Sequence, residues 1–442
     1  MLWIAVLNLP LLAEVLRKYV IHSNVVFLVS EAVVVSCALA TLVVRPRKEV
    51  VLLIFWTVLL VGWALVSTLF GHQETMLGLV GVRAIIVPVS ILIVSFYFVR
   101  SRGPGDVARV LYGVATFWLL GMATVAILQL MLGLTHPMNQ FAEGLGGDER
   151  AGIGDYTVEN VGVEGIFRPT SIFLHTGKFG QVAFILATYC LFYRAAVAAQ
   201  GLRGILRSVG EFSVLVVTGQ RAAILAYCVA FILLHISPVK LIRIIPWLAV
   251  FLVLGVIAVD ARPEVADAAN LIGARVWSGV VDIPERFSGN FLEPYESVLE
   301  KFGLFGAGAG AFSLGSSQWG GRPLYDVINV GIAENSWLRI WAEQGFFGVL
   351  LWGVLLGGLF VSAIRGSLWR RGQVGSEGRL ERGLLHFNAF QIVALSLWAN
   401  THDVLGSVTT MAVAFGYAGV LLVPRQRWGG GSTAWVKKQK LQ

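Results

Sequence analysis

Long apolar runs separated by short polar segments dominate the chain. The runs fall at roughly 24–44, 50–69, 80–99, 107–133, 174–196, 205–219, 221–238, 243–260, 346–364, 384–402 and 406–424. Most are about as long as a bilayer-spanning helix requires and hold few charges. The segment 205–219 is short and is set apart from its neighbour only by Arg221. Met1 to Leu16 is also apolar, but Pro10 and Glu14 interrupt it. It lacks the basic start and the small-residue cleavage site of a secretory signal. It reads either as a first span or as an element lying in the interface. Two segments break the rhythm, 134–173 and 261–345; the second ends in Asn335-Ser336-Trp337-Leu338-Arg339, next to a new apolar run at Phe346. Loops of that length are usually functional.

The pattern predicts an all-α, polytopic membrane protein with about 11–12 transmembrane helices. It forms one domain over 1–442, with long loops at 134–173 and 261–345 and a tail at 425–442. Composition agrees: 56% of the residues are hydrophobic and 14% charged, against about 25% charged in soluble proteins. Mean hydropathy is +0.75.

The net charge of +8 sets orientation; it does not point to nucleic acid. Arg45, Arg47, Lys48, Arg100, Arg102, Arg109, Arg194, Arg203, Arg207, Lys240 and Arg243 fall on one side of the predicted spans. So do Arg365, Arg370, Arg371, Arg379, Arg382, Arg425, Arg427 and the lysines of the tail. This side is expected in the cytoplasm, and both long loops then face outward. Cys37, Cys190 and Cys228 lie in apolar runs, with no metal-ligand or disulfide spacing. No internal repeat is evident, which weighs against an inverted-repeat transporter.

Three arginines map to the outer side, where topology does not call for them: Arg83, Arg168 and Arg221. A guanidinium stays charged and presents a planar fork that suits phosphate oxygens. Snorkelling accounts for one such residue, less readily for three. Gly306, Gly308 and Gly310 alternate in Gly303 to Phe312. Such a turn either packs tightly or presents backbone N–H groups to an anion. His175, and His402 beside Asp403, are each either a general base or an interfacial residue. Glu334 and Asn335 open a helix whose first turn favours an acid, and Arg339 and Glu343 stand four apart, as a pair would. There is no Asp-x-Asp, H-E-x-x-H, G-x-S-x-G or Rossmann fingerprint, so no metal or nucleotide cofactor is expected.

Together these residues resemble a family. Glu334-Asn335-Ser336-Trp337-Leu338, then Glu343 and Gly345, is similar to the His-Asn-x-aromatic-Leu-x4-Glu-x-Gly signature of the O-antigen ligase and Wzy-type polymerase superfamily. Gly306 to Phe312 resembles its Gly-x-Gly-x-Gly-x-Phe element, and Thr218-Gly219-Gln220-Arg221-Ala222 its Thr-Gly-Ser-Arg-Gly stretch. The resemblance implies a GT-C membrane glycosyltransferase in the bacterial inner membrane with its active site facing the periplasm. It implies a polyprenyl-diphosphate-linked glycan donor, a glycan or lipid acceptor, and other polysaccharide-assembly proteins as partners. Arg221, Arg83 and Arg168 would then hold the diphosphate. Glu334 and His175 would be the catalytic candidates, and Asn335, Arg339, Gly308 and Gly310 would shape the acceptor side. Glu334 stands where ligases carry histidine, which favours a polymerase over a ligase. A transporter or flippase is the expectation from another class; its charges should cluster at mid-membrane.

Overall fold

The computed structural model describes residues 2–21, 25–71, 75–132, 136, 169–173, 176–197, 202–235, 293–312, 335–369, 376–400 and 402–423. The described residues build an all-α bundle. In chain order its helices are α1 (Leu2–Leu16), which continues into a π-helical turn (Arg17–Ile21), α2 (Val25–Val44), α3 (Lys48–Phe70), α4 (Thr75–Arg102) and α5 (Pro104–Leu132). Next come α6 (Thr176–Val197), α7 (Leu202–Thr218), α8 (Arg221–His235) and α9 (Glu293–Phe302). The chain closes with α10 (Ser336–Trp369), α11 (Ser376–Trp398), α12 (Val408–Gly416) and a 3-10 turn (Gly419–Leu422). Among the described residues six helices, α2 to α6 and α10, are long and apolar enough to cross a membrane.

Most expected runs become helices with shifted ends. The run at 346–364 begins earlier, because the polar motif and the span form α10 together, kinked at Gly345. The last run, 406–424, is not one helix. It breaks into α12 and the 3-10 turn, and the Gly416 carbonyl accepts from Ser95 Oγ of α4 (2.5 Å). A Cβ on Gly419 would lie 2.4 Å from the Ser95 backbone, so close packing on α4 interrupts the helix. The run at 243–260 lies outside the described residues.

Two helices form the centre. α4 is buried continuously from Val87 to Val99, and α6 over most of its length. A helix that is apolar all round is covered either by protein, as here, or by lipid. α12 packs most heavily on α4, and α11, α5, α8 and α7 pack on α6. α2, α3 and α5 turn Val43, Leu69 and Met131 outward, as a lipid-facing surface requires. A satellite core of Val298, Ala311, Phe312, Leu338 and Ala342 fixes α9 to the start of α10.

Candidate functional site

The start of α10 is held by its own cap and by the turn before α12. Asn335 Oδ1 accepts from Leu338 N (2.9 Å), the N-cap arrangement that satisfies a free helix N–H. Ser336 N donates to Ala399 O (2.7 Å), and its hydroxyl accepts from Leu405 N (2.9 Å). The same hydroxyl lies 3.1 Å from Asp403 Oδ1. Arg339 is buried with its Nη2 3.2 Å from Asp403 Oδ1. A Cβ on Gly406 would fall on that guanidinium, so a side chain here would push Arg339 away from its place. Tyr295 of α9 hydrogen-bonds with Asn335; burial pushes its phenol up to about 12, with the Asn335 contact acting the other way.

Glu343 holds the glycine turn in place. Its carboxylate accepts from the backbone N–H of Phe312 (3.1 Å) and of Gly310. At Gly345 the backbone turns to φ 66°, ψ −172°, a region that disfavours any side chain. The break frees the carbonyls of Ala342 and Glu343, as at any helix end. The N–H groups of Ala307 (2.7 Å) and Gly308 (2.9 Å) take those carbonyls. Ala309 N donates to Thr68 Oγ1 (3.2 Å). Gly306, at φ 78°, leaves no room for a Cβ, which would stand 2.5 Å from Gly345 N. The N–H groups of 307 to 310 therefore meet protein acceptors, and Gly308 and Gly310 serve tight packing between α3, α4 and α10.

A second polar cluster lies at the same end of the bundle. Glu14 of α1 is fully buried; it accepts from Thr409 Oγ1 (2.8 Å) and lies 3.4 Å from Lys178 Nζ. Thr410 Oγ1 donates to Gln181 Oε1 (2.8 Å). Arg83 Nε lies 2.8 Å from Glu31 Oε2 of α2. The Arg17 guanidinium stands 5.1 Å over the Phe27 ring. Lys18 donates to Thr170 Oγ1 (2.8 Å), Phe173 O (2.7 Å) and Ser171 O. Ser171, at φ 53°, is pinned further by Gln129 Oε1 on its N–H and by Tyr19 and Met122. Backbone strain of this kind persists only where its surroundings over-determine it.

Arg221 is the first residue of α8, just after a break at Gly219 and Gln220. Gln220 packs on Gly180 of α6, where a Cβ would strike it. Gly177, one turn earlier, faces His402. The structure thus brings Arg83, Arg221, Asn335, Arg339, Gly308 and Gly310 to one end of the bundle. Glu334, His175 and Arg168 lie outside the described residues. The anchored turn 170–173 is the chain between the last two. Arg339 and Glu343 stay within electrostatic range of each other, as their spacing suggests, and each adds a tertiary attachment, Arg339 to Asp403 and Glu343 to the glycine turn.

Glu14, Arg17, Lys18, Glu31 and Lys178 were missed as site residues. Glu14 and Glu31 carried a usable signal, since acids inside apolar runs are costly and need partners. Neither a protein-family model nor a curated protein sequence matches the chain.

Proposed function

We propose that the chain is a GT-C membrane glycosyltransferase of the Wzy polymerase type. It joins undecaprenyl-diphosphate-linked repeat units into a bacterial surface polysaccharide at the periplasmic face of the inner membrane. An acceptor hydroxyl attacks the anomeric carbon of the donor while the lipid diphosphate departs. Arg221, with Arg83 and Arg168, neutralises the charge that develops on the leaving group. Glu334 takes the proton of the acceptor hydroxyl. The observation that carries this reading is the motif string, with Asn335 capping α10, at the same end of the bundle as Arg83 and Arg221. Glu334 in place of histidine favours a polymerase over an O-antigen ligase.

Polymer length on cells tests it. Arg221→Ala and Glu334→Gln are each expected to leave single repeat units on the carrier. Wild-type chains from both would refute the site assignment. Deleting the gene separates polymerase from ligase: a ligase mutant keeps long chains on the carrier, a polymerase mutant keeps single units.

A further inference from the structure

The turn that follows α9 sits deeper than a solvated loop would. α3 has 23 residues and is about 34 Å long, just over the thickness of a bilayer's hydrocarbon core. Its last residue, Phe70, packs on the Phe305 ring with centroids 5.0 Å apart. The same ring stacks at 5.9 Å on Trp63, about two turns back along α3. Phe305 therefore lies below the end of a membrane-length helix, level with its last two turns. The kink of α10 lies at the same depth, since Trp63 Nε1 donates to Gln344 O (2.7 Å). Gly310 reaches comparably far along α4. A Cβ there would strike Leu77 O and Gly81 N, both in the first two turns of that helix.

Backbone at such a depth has no water to bond, and irregular chain survives there only where protein meets its polar groups. The turn satisfies that demand. Gly303 N donates to Leu299 O (3.0 Å) and Gly306 N to Phe302 O (3.1 Å), which closes the end of α9. Gly303 O accepts from Trp341 Nε1 (3.3 Å). The next four N–H groups go to the carbonyls of Ala342 and Glu343, to Thr68 Oγ1 and to the Glu343 carboxylate.

The side chains are sorted in the same way. Leu304 and Phe305 stand between two glycines at positive φ and are 52% and 44% exposed. Leu299, in the last turn of α9, is exposed as well. Phe305 joins this tip to the outward-facing Phe70 of α3, and Trp63 joins it to the outward-facing Phe347 of α10. The exposed charges Glu296, Glu300 and Lys301 stay on α9, and no charge occurs from Phe302 to Phe312. Apolar surface of this kind in a well-bonded turn marks a contact with something apolar.

We propose that residues 299–310 form a re-entrant wedge, with Leu304 and Phe305 inserted among the acyl chains of the leaflet at the motif end. The patch continues the lipid-facing surface of α3 and α10, so hydrocarbon of the bilayer itself is its occupant. The wedge anchors α9, and through the satellite core the start of α10, at the depth of the lipid headgroups. This part of the 261–345 segment is then membrane-embedded and not a solvated loop. The wedge depends on the membrane class of the chain and not on the glycosyltransferase reading.

The test places single added cysteines in the full chain, reconstituted in liposomes of dioleoyl phosphatidylcholine, and follows labelling by a charged, membrane-impermeant maleimide. Leu304→Cys and Phe305→Cys probe the tip, and either suffices if the other fails to give monodisperse protein. Glu300→Cys is the solvent reference and corrects for orientation. Wild-type protein, whose three cysteines lie in apolar runs, sets the baseline. The tip is expected to label at least about tenfold more slowly than Glu300→Cys, since each unit by which apolar surroundings raise a thiol's pKa removes a factor of ten in thiolate. A bimane attached at the tip is expected to be quenched by lipids brominated on their acyl chains. Labelling of the tip as fast as Glu300→Cys overturns the wedge. Slow labelling without quenching puts protein, such as a second copy of the chain, over the patch and overturns the lipid assignment. Polymer length enters neither readout, so failure of the wedge and failure of the polymerase reading are told apart.

Discussion

The bundle buries charge in two regions that differ in one respect. Around Arg194 of α6 every charge is met. Its guanidinium binds both oxygens of Glu211 in α7, with Nη2 to Oε2 at 2.6 Å, and Nη2 also reaches Ser208 Oγ at 2.8 Å. Tyr227 of α8 donates to Glu211 Oε2 at 2.8 Å. Both charged side chains are about equally buried, 10% and 11% exposed. Around Arg17 and Arg83 the cations outnumber the acids, buried polar atoms of Arg17 and Glu31 lack hydrogen-bond partners, and exposure is uneven. A closed network ties α6, α7 and α8 together and leaves no unmet group. The network next to the motif end is left less complete. Buried charge alone therefore does not mark a functional site.

The comparison breaks first if the closed network proves dispensable. Arg194→Met leaves the Glu211 carboxylate buried and unpaired, and should lower stability by about 3–5 kcal/mol. Arg194→Met with Glu211→Leu should recover most of that loss in denaturant unfolding of purified protein. A double variant as unstable as the single one would contradict the closed-pair account. Lys18 is the next test, since it sits in the unclosed region but has its own three acceptors. Lys18→Met should cost about 2 kcal/mol and expose the turn 170–173 to faster amide exchange. Arg17→Ala, by contrast, should cost only about 1 kcal/mol, because it removes a cation–π contact with Phe27 and no hydrogen bond. Thermal melts of Lys18→Met and Arg17→Ala that coincide would erase the distinction.

The elements themselves were largely legible. Hydropathy placed α2 to α6 close to their observed ends, because satisfying the backbone inside a bilayer is a local demand on about 20 consecutive residues. The cap at Asn335 was readable as a helix start for the same local reason. The glycine turn was readable as a close-packing device, yet its partner was not. Gly306 meets Gly345 only because the α10 kink frees two carbonyls just where the turn arrives. The last run misled, since nothing in 406–424 announces that Ser95 takes the Gly416 carbonyl. Arg339 and Glu343 stand at the spacing of a helical pair and interact, but their added partners, Asp403 and the glycine turn, were not legible.

By itself the sequence determined an all-α chain of membrane-length helices and a polar motif at the start of one of them. Both follow from interactions that reach no further than a helix turn or a span. Tertiary structure alone decided which charges are matched. Glu14 meets Thr409 across 395 residues, and Arg83 meets Glu31 of another helix. Pairing depends on which helix faces pack together, and at each such contact burial makes a missing partner costly.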